Sequence, residues 1–288
     1  TKTSGPKVFD TAKKLHKAGM DKGITLALQS MHEPTLEAIK RKNIPFDDFG
    51  TLVKQYQAAH MPVYSELILA LPLETYDTFV DGCCRTLEAG LDDGLNVYLC
   101  MILPNSEMGD PEYQVTYGMR TVHAPLLQQH CTPGADGPEE YAPIVIATDT
   151  MSEEDFERAF TFAWAVQTFH GMGLLRQVAR WWNKDGSAQG FRHFYERLIH
   201  AAQINPRLII GRACATMEAH LEWGTHGCGW GRVDQRYGNI MWPLEEASFL
   251  DIATGDLTLF YAEIQHLFTV PDKIIRTERE GLRTPEEF

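Results

Sequence analysis

Three short apolar stretches of this 288-residue chain carry polar side chains where a buried strand should have none. In the first, Thr25, Ala27 and Gln29 alternate with Ile24, Leu26 and Leu28. In the second, Tyr64 and Glu66 share a parity with Ile68, against Val63, Leu67 and Leu69. In the third, Asn96, Tyr98 and Cys100 alternate with Val97, Leu99 and Met101. Successive strand side chains point to opposite faces, and a parallel strand covered on both faces is almost wholly apolar. One face of this sheet is therefore apolar and packed under helices, while the other presents two amides, a carboxylate and two phenols. A carboxylate inside a curved sheet needs a partner. Either Glu66 meets an Arg or Lys in a structural ion pair, or these groups line a ligand cavity at the C-terminal strand ends, where parallel α/β sheets place their sites. The agreement of three strands in parity favours the cavity.

The elements that position these residues follow from periodicity and breakers. A helix is predicted over 6–18, stopped by the turn between Gly19 and Gly23, and a strand over 24–30. Pro34 suits the first turn of a helix running through Lys42. A helix at about 46–60 precedes a strand at 63–71, stopped by Pro72. A helix at 74–89 precedes a strand at 95–103, stopped by Pro104. Alternation at this spacing implies parallel strands joined by right-handed crossovers. Residues 110–150 are less regular, with a loop from His130 and a strand at 141–148. Ser152 then caps a long helix to about His170, followed by helices at 173–183, 189–203, 206–223 and 244–268.

With these elements in place, the motifs resemble the second half of a radical S-adenosylmethionine (SAM) barrel. The segment from Ile24 through Gln29-Ser30 to Ile44, with Arg41 twelve residues after the glutamine, resembles the fourth strand and helix of that family. Tyr64-Ser-Glu66-Leu-Ile-Leu-Ala70-Leu-Pro72-Leu73-Glu74-Thr75 resembles the fifth strand. Tyr98-Leu-Cys-Met101-Ile-Leu-Pro104-Asn105 resembles the sixth. The stretch from Glu140 to Asp155 is similar to the connector of the subgroup with an N-terminal cobalamin-binding domain. The implied fold is α/β: part of a (β/α)6 barrel with parallel strands, followed by a mainly α-helical C-terminal domain. Its parts would be residues 1–109 for the half-barrel, 110–151 for the connector and 152–288 for the helices.

The resemblance implies that Gln29, Arg41 and Glu66 contact SAM, with Arg41 on its carboxylate, and that the backbone at Cys100 and Met101 lies beside adenine. Tyr64, Tyr98 and Asn105 are candidates for a substrate pocket. It further implies a [4Fe–4S] cluster and cobalamin whose ligands lie outside this chain, since no Cys-x-x-x-Cys-x-x-Cys occurs here. Two glycines of the fifth-strand pattern are replaced by Ala70 and Leu73. The chain opens on Thr without an initiator Met and codes for half a barrel. It is therefore expected to be the C-terminal part of a longer enzyme. Its partners would be the upstream cobalamin domain and cluster-binding half-barrel, an external electron donor and a small-molecule substrate. The expected activity is methylation of an unactivated carbon in a small molecule or natural-product intermediate. A radical rearrangement or cyclisation, or a non-catalytic barrel-like binding subunit, are the alternatives. A hydrolase using Glu66 and Glu74 is weaker, because their strand and loop positions set no defined separation.

Composition narrows the classes further. A formal charge of −13 disfavours a broad grip on nucleic acid or anionic lipid. No apolar run approaches a membrane span and no signal peptide is evident. The six cysteines form no Cys-x-x-Cys pair, which suits a reduced, cytoplasmic protein. His220, His226 and Cys228 cluster around glycines, but at no standard zinc spacing, so no metal site is assigned. Trp223, Trp230 and Trp242 are candidates for an aromatic pocket wall, and Trp181-Trp182 for packing at a helix end. His123 and His130 have no acidic neighbour at catalytic spacing.

Overall fold

In the computed structural model, residues 6–20, 22–126, 129–134, 140–184 and 190–282 are described. Helix α1 (Pro6–Lys17) leads to strand β1 (Ile24–Thr25). Helices α2 (Glu33–Ala38) and α3 (Phe46–Ala58) precede β2 (Val63–Leu69), and α4 (Tyr76–Glu88) precedes β3 (Leu95–Leu99). The strands form one parallel sheet in the order β1-β2-β3. The expected parity is clearest in β2, where Val63, Ser65, Leu67 and Leu69 are buried and Tyr64, Glu66 and Ile68 are half-buried. The buried row belongs to the same core as Phe49, Val53 and Tyr56 of α3 and Phe79, Val80 and Cys83 of α4. Thr75 and Thr78 close a reciprocal capping box that starts α4 directly after the strand end.

Two departures from the expected pattern shape the strand ends. The run 24–30 is not one strand. Ile24 and Thr25 pair with Val63 and Tyr64, and then Gln29 pairs with Leu67. Four steps along the first strand therefore match three along the second, a bulge that Gln29 enters with φ 62°. The helix opened by Pro34 also stops at Ala38, short of Lys42. Lys40 adopts the left-handed region (φ 51°), its N–H donates to the Glu37 carbonyl, and the Arg41 N–H donates to the Leu36 carbonyl. This is a Schellman ending with lysine where glycine is usual, and it carries Arg41 off the helix.

Beyond β3 the chain passes through α5 (Pro111–Thr116) into an antiparallel hairpin of β4 (Arg120–Pro125) and β5 (Tyr141–Ala147). The sequence predicts β5 and not β4. β5 also hydrogen-bonds the backbone just past β3: Val145 N–H to the Cys100 carbonyl, and Ile102 N–H to the Pro143 carbonyl. The hairpin thus extends the parallel sheet by an antiparallel edge.

The rest is helical. Helix α6 (Glu153–Ala165) runs into a π-helical turn, Val166–Gly171, followed by α7 (Arg176–Lys184), α8 (Gly190–Ile204) and α9 (Ile209–Thr225). A small antiparallel ribbon of β6 (Gly231–Val233) and β7 (Met241–Pro243), not predicted from sequence, leads into α10 (Leu244–Ala253), α11 (Leu257–Phe268) and α12 (Asp272–Glu280). The single helix expected over 244–268 is two, because Asp256 caps α11 by accepting from the Leu259 N–H. The parts share one core: Phe156, Phe162 and Trp164 of α6 are continuous with the residues under the sheet. Gln167 of the π-turn accepts the Val97 N–H of β3 at 2.8 Å. Among the described residues, no helix is long and apolar enough to cross a membrane.

Candidate functional site

The site begins with the backbone that the β1 bulge leaves unpaired. Buried carbonyls must find donors, and here each has one. Ser65 Oγ donates to the Leu26 carbonyl at 2.9 Å. An Arg41 guanidinium N–H donates to the Ala27 carbonyl. The Asn43 amide donates to the carbonyls of Leu28 at 2.9 Å and Ser30 at 2.8 Å, while its own oxygen accepts from Arg41 Nε at 2.9 Å. Gln29 sits at the apex, its N–H on the Glu66 carbonyl and its carbonyl taking the Ile68 N–H. Arg41 is therefore no solvated helix charge; it clamps the strand end. Burial lowers its pKa and the nearby Glu66 carboxylate opposes that shift.

At this strand end lies a cleft of about 280 Å³, walled by Gln29, Ile39, Ile68, Cys100, Met101 and Tyr113 among others. Of the sequence-predicted cofactor residues, the fold brings Gln29, Cys100 and Met101 into it. Glu66 shares the face of Ile68 one strand repeat deeper, opposite Asn96 in register, with no ion-pair partner among the described residues. The β5 pairing buries the Cys100 side chain, and burial first and Glu74 second push its thiol to about 12. Just past β2, buried Glu74 accepts Ser30 Oγ at 2.5 Å, while its other oxygen has no partner. Burial raises its pKa to about 8 against the Ser30 hydrogen bond. Tyr64 lies at the opposite end of β2, its hydroxyl donating to the Lys22 carbonyl at 3.4 Å, and does not line the cleft. Asn105 is an exposed left-handed turn residue (φ 64°) outside the lining.

A second cleft, of about 290 Å³, opens between β3, the β4–β5 hairpin and the β6–β7 ribbon. Tyr98, Phe160, Trp230, Trp242 and Glu245 line it, and Met101 walls both clefts. Two of the three expected aromatic wall residues are thus in place, while Trp223 stands exposed on α9. The ribbon is pinned from behind by buried Arg232, whose guanidinium donates to Asp251 at 2.6 and 3.0 Å and to Asp234 at 2.6 Å. The indole edge of Trp230 lies flush on Gly224 of α9. His130 does have an acidic partner, Glu246 at 2.6 Å, supplied from 116 residues away.

No donor set for a cluster converges here. His220 and His226 each bond a carbonyl of their own helix, Thr216 and Glu222, and no three His, Cys, Asp or Glu side chains assemble among the described residues. All six cysteines are free. Sequence reasoning missed Asn43, Ser65, Arg232 and Glu245, because their partners are set by the fold rather than by spacing.

No family model matches the chain. It is, however, 36% identical over 211 residues to the cobalamin-dependent radical SAM methyltransferase TokK of Streptomyces tokunonensis. It is equally 36% identical over 211 residues to the 2-(S-pantetheinyl)-carbapenam-3-carboxylate methyltransferase of Streptantibioticus cattleyicolor. The match covers 73% of this chain and 30% of each relative, in their C-terminal part. The chain is therefore similar to the C-terminal part of two cobalamin-dependent radical SAM methyltransferases and spans under a third of their length. The three-stranded parallel sheet and helical remainder are the half-barrel and C-terminal domain expected of that part. The two clefts adjoin because the run Val97 to Met101 contributes to both linings, Cys100 and Met101 to the first and Val97, Tyr98, Leu99 and Met101 to the second.

Proposed function

We propose that this chain is the SAM- and substrate-holding portion of a radical SAM methyltransferase that methylates an unactivated carbon of a small molecule. The observation that carries the reading is the pair of adjoining clefts at the C-terminal ends of β1–β3, one built on the Gln29 bulge and the other on the aromatic ribbon. SAM fits the first. Its walls mix apolar Ile39, Ile68 and Met101 with the Gln29 amide, the balance that small-molecule sites show. Bound there, SAM would supply the methyl and adenosyl groups of the reaction.

The chain's own residues bind, orient and exclude water. Gln29 offers its amide from a backbone fixed on both sides. Arg41 and Glu66 set opposite charges beside the cleft, with one guanidinium nitrogen, Nη1, outside the hydrogen bonds to Ala27 and Asn43. Substrate would occupy the second cleft, so that the target carbon faces the cofactor across Met101. The described residues do not fit a [4Fe–4S] cluster, and cobalamin is likewise assigned to the upstream part of the same protein. We also assign an external electron donor and a cytoplasmic location, the latter because all six thiols are free.

Calorimetric titration of SAM tests the reading. Wild-type protein should bind, and Gln29→Ala should weaken binding by about tenfold, the size of one lost hydrogen bond to a charged or polar ligand. Absence of SAM binding to the wild type, or no change in Gln29→Ala, would overturn it.

A further inference from the structure

The second cleft is chemically one-sided. Among the described residues no Arg or Lys lines it, and its one charged side chain is Glu245. Among the described residues that carboxylate accepts from its own backbone N–H, with Glu246 and the His130 ring as charged neighbours, and beyond it lies a void of about 40 Å³ lined by Val97, Leu99, Phe160, Ala163, Trp164 and Gln167. Its neighbour Glu246 is engaged by His130. The aromatic walls turn their donors away. Trp242 Nε1 donates to the Tyr237 carbonyl at 3.0 Å, and the Trp230 indole nitrogen is buried against Gly224 without a partner. The two indoles therefore offer the cleft carbon rather than a hydrogen-bond donor, and an aromatic face attracts cations through its quadrupole. Burial leaves Glu245 with a pKa raised to about 7, so its charged form gains from any positive partner.

We infer that the second cleft is a binding subsite for an organic cation, an alkylammonium group seated between Trp230, Trp242 and Tyr98 with Glu245 as its counter-ion. The inference deepens the proposed function and rests on it for the identity of this cleft as the substrate side. It makes Glu245 a specificity-determining residue: it selects a substrate bearing an ammonium group at the end held away from the cofactor cleft. The net charge of −13 would steer such a ligand toward the protein.

Choline and its uncharged isostere 3,3-dimethylbutan-1-ol are the probes, titrated by calorimetry into the full protein at pH 8. Choline should bind the wild type and bind Glu245→Gln about tenfold less tightly, as expected for losing a counter-ion in a partly desolvated site. The neutral isostere should bind weakly and equally to both. Glu246→Gln, one residue along the same helix but bonded to His130, should weaken choline binding less than Glu245→Gln does. Equal binding of choline and isostere, no effect of Glu245→Gln, or an equal loss in Glu246→Gln would overturn the inference. SAM binding measured on the same samples separates the two claims: loss of choline binding with SAM binding intact removes only this one.

Discussion

The Asn43 side-chain amide grips Gln29 from both sides without touching it, donating to the carbonyls of Leu28 at 2.9 Å and Ser30 at 2.8 Å. A non-glycine residue at φ 62° costs on the order of 1 kcal/mol, and these two hydrogen bonds, with Arg41 on Ala27, hold it there. Asn43→Ala leaves two carbonyls and the Arg41 Nε without their partner. It should destabilise the protein by about 2 kcal/mol. It should also weaken SAM binding as much as Gln29→Ala does, although Asn43 lies outside the cleft lining. Chemical denaturation and calorimetry on the same variant check both; a folded variant with unchanged SAM affinity would show that the bulge does not position Gln29.

Glu74 sets an alkaline limit on stability. Its pKa is raised to about 8 by burial, so the folded state binds a proton that the unfolded state releases near the ordinary value of 4.5. Its contribution is present below that value and is lost as pH rises through about 8. Glu74→Gln keeps an oxygen for Ser30 and removes the titration. The variant should gain on the wild type as pH rises, by on the order of 2 kcal/mol at pH 9 relative to pH 5. Thermal melts at those two pH values measure it, and a difference independent of pH would refute the assignment.

His170 sets the acid limit. It is fully buried in the π-turn, with Nδ1 2.8 Å from the Tyr195 hydroxyl and Nε2 3.0 Å from Asp92, which Arg180 also holds. Burial lowers the His170 pKa, opposed by Asp92; the neutral ring donates through Nε2 and accepts from Tyr195. Burial would raise Asp92, but the His170 and Arg180 contacts hold it below the carboxylate range. Both shifts are depressions, so both contributions are present at neutral pH. The His170 part is lost as pH falls below its unfolded value of roughly 6.5, and the Asp92 part below roughly 3.9. His170→Phe should cost about 3 kcal/mol at pH 7.5, and the gap to wild type should narrow toward pH 5. Denaturant midpoints across that range decide it.

Two glycine-to-alanine changes on helices should have opposite signs. At Gly224 an added Cβ would lie 2.2 Å from Trp230 Nε1, so the ring must leave its seat and the second cleft must change shape. Gly224→Ala should cost about 1–3 kcal/mol and shift the tryptophan emission. At Gly50 on α3 the nearest atom to such a Cβ is 3.9 Å away, and Gly50→Ala should gain roughly 0.5–1 kcal/mol from helix propensity. Similar melting shifts for the two would contradict the packing described at Trp230.

The strands at 63–71 and 95–103 were legible because their hydrophobic parity is a direct consequence of burying one face. The β1 bulge was not. Its sequence, Ile24 to Ser30, alternates cleanly, and the extra residue shows only when Gln29 meets Leu67 in register. The helix through Lys42 failed for a related reason: nothing local marks Lys40 as left-handed, and the conformation persists because Arg41 and Asn43 find carbonyls on β1. Tyr64 carried the right parity but sits at the wrong end of its strand, a distinction that periodicity alone does not make.

The α/β half-barrel, the helical remainder, the resemblance to radical SAM enzymes and the lack of a cluster motif were all legible along the chain, since each follows from local patterning or short ordered motifs. Only the tertiary structure decided which residues meet. It turned Arg41 into a clamp, buried Cys100 under β5, paired His130 with Glu246 across 116 residues and set Glu245 in an aromatic cleft. Those outcomes depend on which distant carbonyls, carboxylates and rings the folded chain brings within hydrogen-bond reach, and no spacing along the chain encodes that distance.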